Sequence, residues 1–431
     1  MLKREIENKL VEWKNQIDKK CLIISGARQV GKTYIVEKFA KDNYEHFVEI
    51  NFVENPTAKK IFDGDLDITT ILANISLYLP EQSSLIPNKT LIFFDEIQAC
   101  PNARTALKFF AIDKRFDVIA SGSLLGINYE QVSSYPTGYV EFLEMNPLSF
   151  KEFLWANGID ENVVSIIKNC FENKCVVNEA MNSKLLEYFK QYIVVGGMPN
   201  VVNTFVNNHN FEEVLNLQKN ILIDYKNDIA KYAYSTEKVK AKACFESIPA
   251  QLAKDNKKFI YKFFDKGGRS QKYSGSINWL IDAGIVNICN NVTSLDLPLI
   301  AYKEENYFKL YMADTGLLVA MLDDGTNAQI MEGNLGIYKG AIFENIIAQI
   351  LRTNGNKLYF YNRNNTLEID FVLSKNAKIT PIEVKANNNK AKSLSTILKA
   401  NPDMKGIKLV NGNVGEVDNM LTLPLYMAMF L

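Results

Sequence analysis

Histidine is nearly absent from the chain: His46 and His209 are the only two in 431 residues. Cysteine is sparse as well, with Cys21, Cys100, Cys170, Cys175, Cys244 and Cys289 spread along the sequence and no C-x-x-C pair. A structural zinc site therefore has almost no ligand supply. Nor is there the dense, short framework of a secreted disulfide protein; sparse buried cysteines fit a reducing cytosol. Glycine (22) and proline (12) are too few for a fibrous or linker-dominated chain. Net charge is missing too: Lys+Arg and Asp+Glu are both 49. That excludes a histone-like basic protein and an acidic tail protein, but leaves room for a basic patch on one module. No apolar run approaches the ~18 residues of a membrane span. The N-terminal MLKREIENKLVEWKNQ is charged and lacks the apolar core of a signal peptide. These absences point to a cytoplasmic protein with no membrane partner.

What is present is globular in composition, with 47% apolar, 11% aromatic and 23% charged residues. At roughly 150 residues per domain the length suggests about three domains. Residues 1–19 read as an amphipathic helix through Leu2, Ile6, Leu10, Trp13 and Ile17. Beyond it, CLIIS, HFVEINF, LIFFDE and FDVIASGS read as strands alternating with helical segments, the pattern of a parallel α/β sheet. From Pro147 to about Tyr234 the pattern turns helical, interrupted by VVGGMPN. There, Gly196-Gly197-Met198-Pro199 reads as a tight turn, with nucleotide contact as the alternative. Short helices and the strand-like GIVNICNNV and NYFKLYMAD follow, then a helix over Tyr338–Arg352 and a second α/β module. The final LPLYMAMFL reads as a buried last strand.

The densest chemical signal is Gly26-Ala27-Arg28-Gln29-Val30-Gly31-Lys32-Thr33, a G-x-x-x-x-G-K-T run between a strand and a helix. Glycines let the backbone curl so that its N–H groups face phosphate oxygens, and the helix N-terminus adds positive dipole. In this reading Lys32 reaches the β- and γ-phosphates of ATP and the Thr33 hydroxyl holds Mg²⁺. Asp95 and Glu96 close the strand LIFFDE, where ligands bind in open parallel sheets. Asp95 would help hold Mg²⁺, and Glu96 would orient or deprotonate the attacking water. That second acid favours hydrolysis over transfer to a small acceptor. Ser121 and Ser123 read either as a polar sensor beside the γ-phosphate or as caps.

GARQVGKT, LIFFDEIQ, ASGSLLG, MNPLSFKEFL, YIVVGGMPNVV, DYKNDIAKY, INWLIDAGIV, FKLYMADTGLL, KGAIFENIIAQ and EIDFVL…PIEVKA follow one another in order over nearly the whole chain. This series resembles AAA-type ATPases that carry a DUF4143 domain. The resemblance implies a P-loop NTPase parallel sheet over 1–148, a helical lid over 149–235 and a winged-helix-like middle over 236–330. The DUF4143 region, 331–431, would be a restriction-endonuclease-like α/β domain. It also implies a bacterial or archaeal cytosolic ATPase. One departure stands out: where such proteins carry Gly followed by Arg or Lys before MNPLSF, this chain has Gly138-Tyr139. No arginine is assigned as a finger, and a ring-forming ATPase with a basic residue acting in trans loses support.

LEIDFVLS places Glu368 and Asp370 on one strand face, and PIEVKAN places Glu383 with Lys385 on another. An acid followed by E-x-K on the next strand is the arrangement of PD-(D/E)xK nucleases. Asp370 and Glu383 would bind Mg²⁺, Lys385 would position the attacking water, and Glu344, on a helix seam with Ala341, Ala348 and Leu351, would turn toward the same metal. The plain alternative is an ordinary strand with solvated charges. Lys254, Lys257, Lys258, Lys262, Lys266, Arg269 and Lys272 cluster before a helix over Tyr273–Ala283. They read as a winged-helix contact to DNA, or as a solvated surface or a contact to the chain's own ATPase. Three functions remain open. One is an ATPase coupled to a nucleic-acid-directed nuclease-like module, another an ATP-dependent switch or scaffold whose inert tail binds a protein partner, and the third a small-molecule phosphotransferase. Self-association is an open partner question.

Overall fold

Strands that are apolar on both faces must be covered on both faces, and the first third of the chain is built that way. The computed structural model describes residues 2–82, 85–123, 137–232, 237–254, 256–263, 265, 268, 270–334, 338–363, 366–385 and 390–431. Two compact units form: one holds Lys3–Asn146 with Asp282–Gly284, the other Pro147–Ile281 and Ile285–Leu431 with the first two residues.

In the first unit, α1 (Ile6–Lys14) precedes β1 (Cys21–Gly26), α2 (Lys32–Asn43), β2 (His46–Asn51) and α3 (Ile68–Tyr78). Then come β3 (Thr90–Asp95), α4 (Pro101–Asp113), β4 (Asp117–Ser123) and β5 (Val140–Glu144). The sheet order is β2-β3-β4-β1-β5 and every pairing is parallel. Both β1 and β3 are buried along their whole length. Ile23, Ile92 and Phe94 face one core, and Leu22, Ile24, Leu91 and Phe93 the other. Ile6, Leu10 and Trp13 of α1 pack into that second core. The helix is shorter than the periodicity predicts: it stops at Lys14, and Ile17 is fully exposed beyond it.

The second unit opens with α5 (Phe150–Ala156), started by a capping box between Ser149 and Glu152. Next are α6 (Glu161–Asn173), α7 (Glu179–Val195), α8 (Pro199–Asn208), α9 (Phe211–Tyr232), α10 (Lys238–Leu252) and α11 (Ser270–Asp282). After α11 come β6 (Val286–Val292), β7 (Lys303–Met312), α12 (Thr315–Ala320), α13 (Thr326–Glu332) and α14 (Lys339–Thr353). The chain ends with β8 (Tyr359–Arg363), β9 (Leu367–Ile369), β10 (Phe371–Lys375), β11 (Lys378–Lys385), α15 (Lys392–Ala400), β12 (Gly406–Val410), β13 (Gly415–Val417) and β14 (Met420–Pro424). Strands form two sheets, β7-β6-β8-β9 and β10-β11-β12-β14-β13. The strands of the segment expected to be winged-helix-like, β6 and β7, therefore share a sheet with β8 and β9 from beyond residue 331.

The glycine pair of VVGGMPN sits between α7 and α8. Gly196 has φ +74°, and a Cβ there would lie 2.2 Å from Asp314 Oδ1; one on Gly197 would lie 2.3 Å from the Leu148 carbonyl oxygen. Gly197 N–H donates to Asp314 Oδ2 at 2.6 Å. Close approach of a buried carboxylate explains both glycines.

Two strand expectations are corrected. LEIDFVLS is not one strand: β9 pairs with β8, β10 pairs with β11, and the chain changes sheets at Asp370. The Val384 N–H donates to Asp370 Oδ2 at 2.7 Å and anchors that bend. LPLYMAMFL is buried as far as Ala428, but only its start belongs to β14; Leu425–Phe430 is a 3₁₀ helix. Pro424 cannot donate to a ladder, so the strand ends there. Among the described residues no helix is long and apolar enough to cross a membrane.

Candidate functional site

In a parallel sheet all strands end at one edge, so residues at the ends of β1, β2, β3 and β4 meet there. From β1 the chain enters the Gly26–Thr33 loop and then α2. Gln29 (φ 64°) and Gly31 (φ 92°) take left-handed backbone, which curls the loop. A Cβ on Gly26 would stand 2.3 Å from the Met145 carbonyl oxygen, so only glycine fits beside the end of β5. Arg4, buried ahead of α1, donates to the Val30 carbonyl at 3.2 Å and to the Asn146 carbonyl at 2.7 Å. It ties the loop to the segment after β5.

Lys32 is buried, and its Nζ donates to the carbonyls of Ala27 (2.8 Å) and Gly26 (3.2 Å). Burial lowers its pKa to about 8, and the charges of Glu96 and Asp95 oppose that shift while Arg28 adds to it. Asp95 is the hub. Its Oδ2 accepts from Thr33 Oγ1 at 2.9 Å and from Asn51 Nδ2 at 3.1 Å, and its Oδ1 accepts from Ser121 Oγ. All three donors are neutral. Glu96, in left-handed backbone (φ 54°), accepts from Gln98 Nε2.

Thr33, Lys32, Asp95, Glu96 and Ser121, singled out in sequence, thus lie in one neighbourhood. Ala27 and Val30 are buried loop residues, Arg28 is half-buried and Gln29 exposed. Ser123 pairs with Gly26 across β4 and β1. Asn51 and Arg4 were not singled out: Asn51 reaches Asp95 through the β2–β3 register, which pairs the two residues. The oxygen donors Thr33 and Asp95, 2.9 Å apart at the start of α2, fit a Mg²⁺ ion, which takes oxygen ligands. The curled loop and Lys32 fit the phosphates of a nucleotide. At the departure noted in sequence, the Tyr139 ring lies 5.5 Å from Lys108 Nζ.

The C-terminal acids are arranged differently. Glu344 Oε1 is 2.7 Å from Lys257 Nζ, and its Oε2 is 3.4 Å from Lys309 Nζ and 3.0 Å from the Tyr311 hydroxyl. Lys309, fully buried, also donates to Glu368 at 2.6 Å. Glu383 accepts from the Leu394 N–H at 3.0 Å and pairs with Lys385 at 2.7 Å. Burial raises Glu344, but Lys309 and Lys257 overcome it and hold that carboxyl below its ordinary range. Asp370 is pushed up by burial and by the negative charge of Glu344. Two ammonium groups, those of Lys257 and Lys309, face Glu344 and Glu368. Among the described residues no group of three or more His, Cys, Asp or Glu is placed to hold a metal. Of the three acids expected to share Mg²⁺, Glu344 and Glu383 each pair with lysine, and Asp370 accepts from the Val384 N–H.

The basic stretch is also engaged within the fold. Lys257 serves Glu344, Lys272 pairs with Asp265 at 2.7 Å, and Lys254 and Lys258 lie over the rings of Phe263 (3.8 Å) and Tyr307 (4.0 Å). Lys262 is exposed. Lys266 and Arg269 lie outside the described residues.

Family models divide the chain in three. Residues 18–154 match an AAA domain, 186–328 a domain of unknown function (DUF8612) and 339–425 another (DUF4143). No curated protein matches the chain. Similar solved structures include the Walker-type ATPase PABY2304 of Pyrococcus abyssi, 14% identical, covering 74% of this chain and 96% of that one, with a TM-score of 0.44. The Aeropyrum pernix Orc1 protein in complex with DNA is 14% identical over 77% of this chain and 94% of that one, TM-score 0.30. The Thermotoga maritima RuvB Holliday junction branch migration motor is 14% identical over 69% of this chain and 91% of that one, TM-score 0.30.

Proposed function

We propose that this chain, in which an AAA ATPase domain is followed by a DUF4143 domain, hydrolyses ATP as a switch and that its C-terminal module binds a partner without cutting it. The observation that carries the first half is the Asp95 hub, a carboxylate that accepts from Thr33, Ser121 and Asn51 beside a phosphate-binding loop. Backbone N–H groups of Gly26–Thr33 and the Lys32 ammonium bind the nucleotide phosphates. Thr33 and Asp95 hold the Mg²⁺, which supplies charge neutralisation to the phosphates when bound. Glu96 orients water and accepts its proton, while Ser121 and Asn51 fix the orientation of Asp95.

The second half rests on the lysines that face Glu344 and Glu368. Their ion pairs support an inert binding module over a nuclease coupled to the ATPase, and Lys385 is read as the counter-ion of Glu383. The engagement of Lys254, Lys257, Lys258 and Lys272 within the fold supports a partner other than the DNA backbone. The protein would act in the cytoplasm. Mg²⁺-dependent ATP turnover, measured on wild type and Lys32→Ala with and without duplex, branched and single-stranded DNA, tests both halves. Turnover in wild type that is lost in Lys32→Ala and indifferent to DNA is expected. Equal turnover in both proteins would remove the site assignment, and DNA stimulation or cleavage would restore the nuclease-coupled reading.

A further inference from the structure

The α6 helix ends in a way that brings two thiols together. Lys174 takes left-handed backbone (φ 54°, ψ 34°) directly after Asn173. Its N–H donates back to the Phe171 carbonyl at 3.4 Å, and the Cys175 N–H donates to the Cys170 carbonyl at 3.0 Å. This pair of bonds is the Schellman cap, which sets the last-but-three helical residue against the second residue beyond the end and commonly closes with an apolar contact between them. Here both positions are cysteine. The 3.0 Å bond and covalent geometry hold their Cα atoms within about 7 Å, close to the upper limit of the separation that a disulfide spans. The two thiols are in hydrogen-bonding contact, which together with burial raises Cys170.

Exposure separates this pair from the other cysteines. Cys21, Cys100, Cys244 and Cys289 are buried, whereas Cys170 is half-buried and Cys175 exposed. Cys21 and Cys289 are pushed far up by burial, the state of inert structural thiols. The segment that Cys175 opens is anchored within its own unit. Lys174 pairs with Glu416 of β13, and the backbone of Val177 exchanges hydrogen bonds with the Asn413 side chain at 3.0 and 2.8 Å. A covalent link at the cap fixes the stretch that carries those contacts.

We propose that Cys170 and Cys175 form a reversible intrachain disulfide and so make an oxidation site on the α6 cap. With a peroxide as oxidant, the exposed Cys175 thiolate attacks the peroxide oxygen and becomes a sulfenic acid, and the hydroxide or alkoxide that leaves takes up the proton the thiol had lost, giving water or an alcohol. Cys170 sulfur then attacks the sulfenic sulfur, its proton leaves with the hydroxyl as a second water, and the S–S bond closes. Two thiols are oxidised by two electrons and one peroxide is reduced. In a reducing compartment such a bond is transient, as a redox-sensing pair requires.

The test uses the full chain, treated with dilute hydrogen peroxide, alkylated, digested without reductant and mapped by mass spectrometry. The expected product is one linked peptide pair joining Cys170 to Cys175, lacking two hydrogens and reopened by dithiothreitol. Backbone exchange at Val177 should slow in the oxidised form. Cys170→Ser should leave Cys175 as a single sulfenic or over-oxidised residue, and the other four cysteines should remain alkylatable only after unfolding. Wild type that instead gives separate sulfinic acids at these residues, an interchain dimer, or two thiols still free overturns the proposal. The wild-type peptide map distinguishes these products by itself, so the test does not depend on a serine variant that folds.

Discussion

Two groups of carboxylates differ in what holds them: Asp95 closes β3, whereas Glu344 lies on α14 and Glu368 in β9. Asp95 accepts hydrogen bonds from a threonine, a serine and an asparagine, each neutral, with the charge of Lys32 nearby. Glu344 and Glu368 are met by Lys257 and Lys309. The first arrangement orients a carboxylate through neutral hydrogen bonds. The second spends the charge inside the fold, where low polarity makes each ion pair strong but each lost partner costly. Acids at the right spacing therefore do not make a metal site by themselves; the count of internal cations around them decides.

The comparison breaks most visibly at Lys309. Lys309→Met removes the ammonium between Glu344 and Glu368 and leaves buried carboxylates without their partner. We expect a loss of about 3–5 kcal/mol in stability, read as a lower denaturant midpoint of the second unit. A loss below ~1 kcal/mol would show that the acids do not depend on it, and the contrast with Asp95 would lapse.

On the other side, Glu96→Gln should retain ATP binding and slow phosphate release by something like ~100-fold, the lower range for losing a general base. Calorimetric ATP affinity and steady-state turnover measured on the same preparation separate the two effects. Unchanged turnover would take Glu96 out of the reaction and leave Asp95 without a catalytic neighbour.

Asp314 sharpens the comparison, because it is held in a third way, by the N–H groups of Gly197 and Leu317. Burial pushes its pKa up to about 6 against those bonds, from an ordinary 3.8. The folded chain therefore keeps that proton longer than the unfolded chain, and the contribution to stability falls as pH rises from about 4 to about 6. Relative to Asp314→Asn, wild type should lose roughly 2 kcal/mol across that window and nothing above it. Parallel unfolding curves for the two proteins at pH 4, 5, 6 and 7 provide the measure. A constant difference at all four would mean that the backbone donors cancel the burial.

The phosphate loop was readable because its chemistry is local. Glycines, lysine and threonine lie within one short run, and strand and helix flank it, so no distant residue is needed to recognise it. Asn51 was not readable as a partner of Asp95, since their meeting depends on the register of β2 against β3. Arg4 gave no signal at all among the charges of the first helix. The carboxylates Glu344, Asp370 and Glu383 were readable as candidates, and LEIDFVLS looked like one continuous strand. Neither the change of sheets at Asp370 nor the partners of the acids could be seen, because Lys257 lies 87 residues from Glu344 along the chain and Lys309 lies 35.

By itself the sequence determined the P-loop, the parallel α/β character of the first unit, the helical stretch after Pro147 and the positions of the acids. These follow from periodicity, turn chemistry and short-range spacing, which act over a few residues. Only the tertiary structure decided which charges meet. It brought neutral donors to Asp95 and lysines to Glu344 and Glu368. It also set two cysteines against each other at the end of α6. The physical reason is that electrostatic partnership depends on distance in space and on burial, and both are set by packing between segments far apart in the chain.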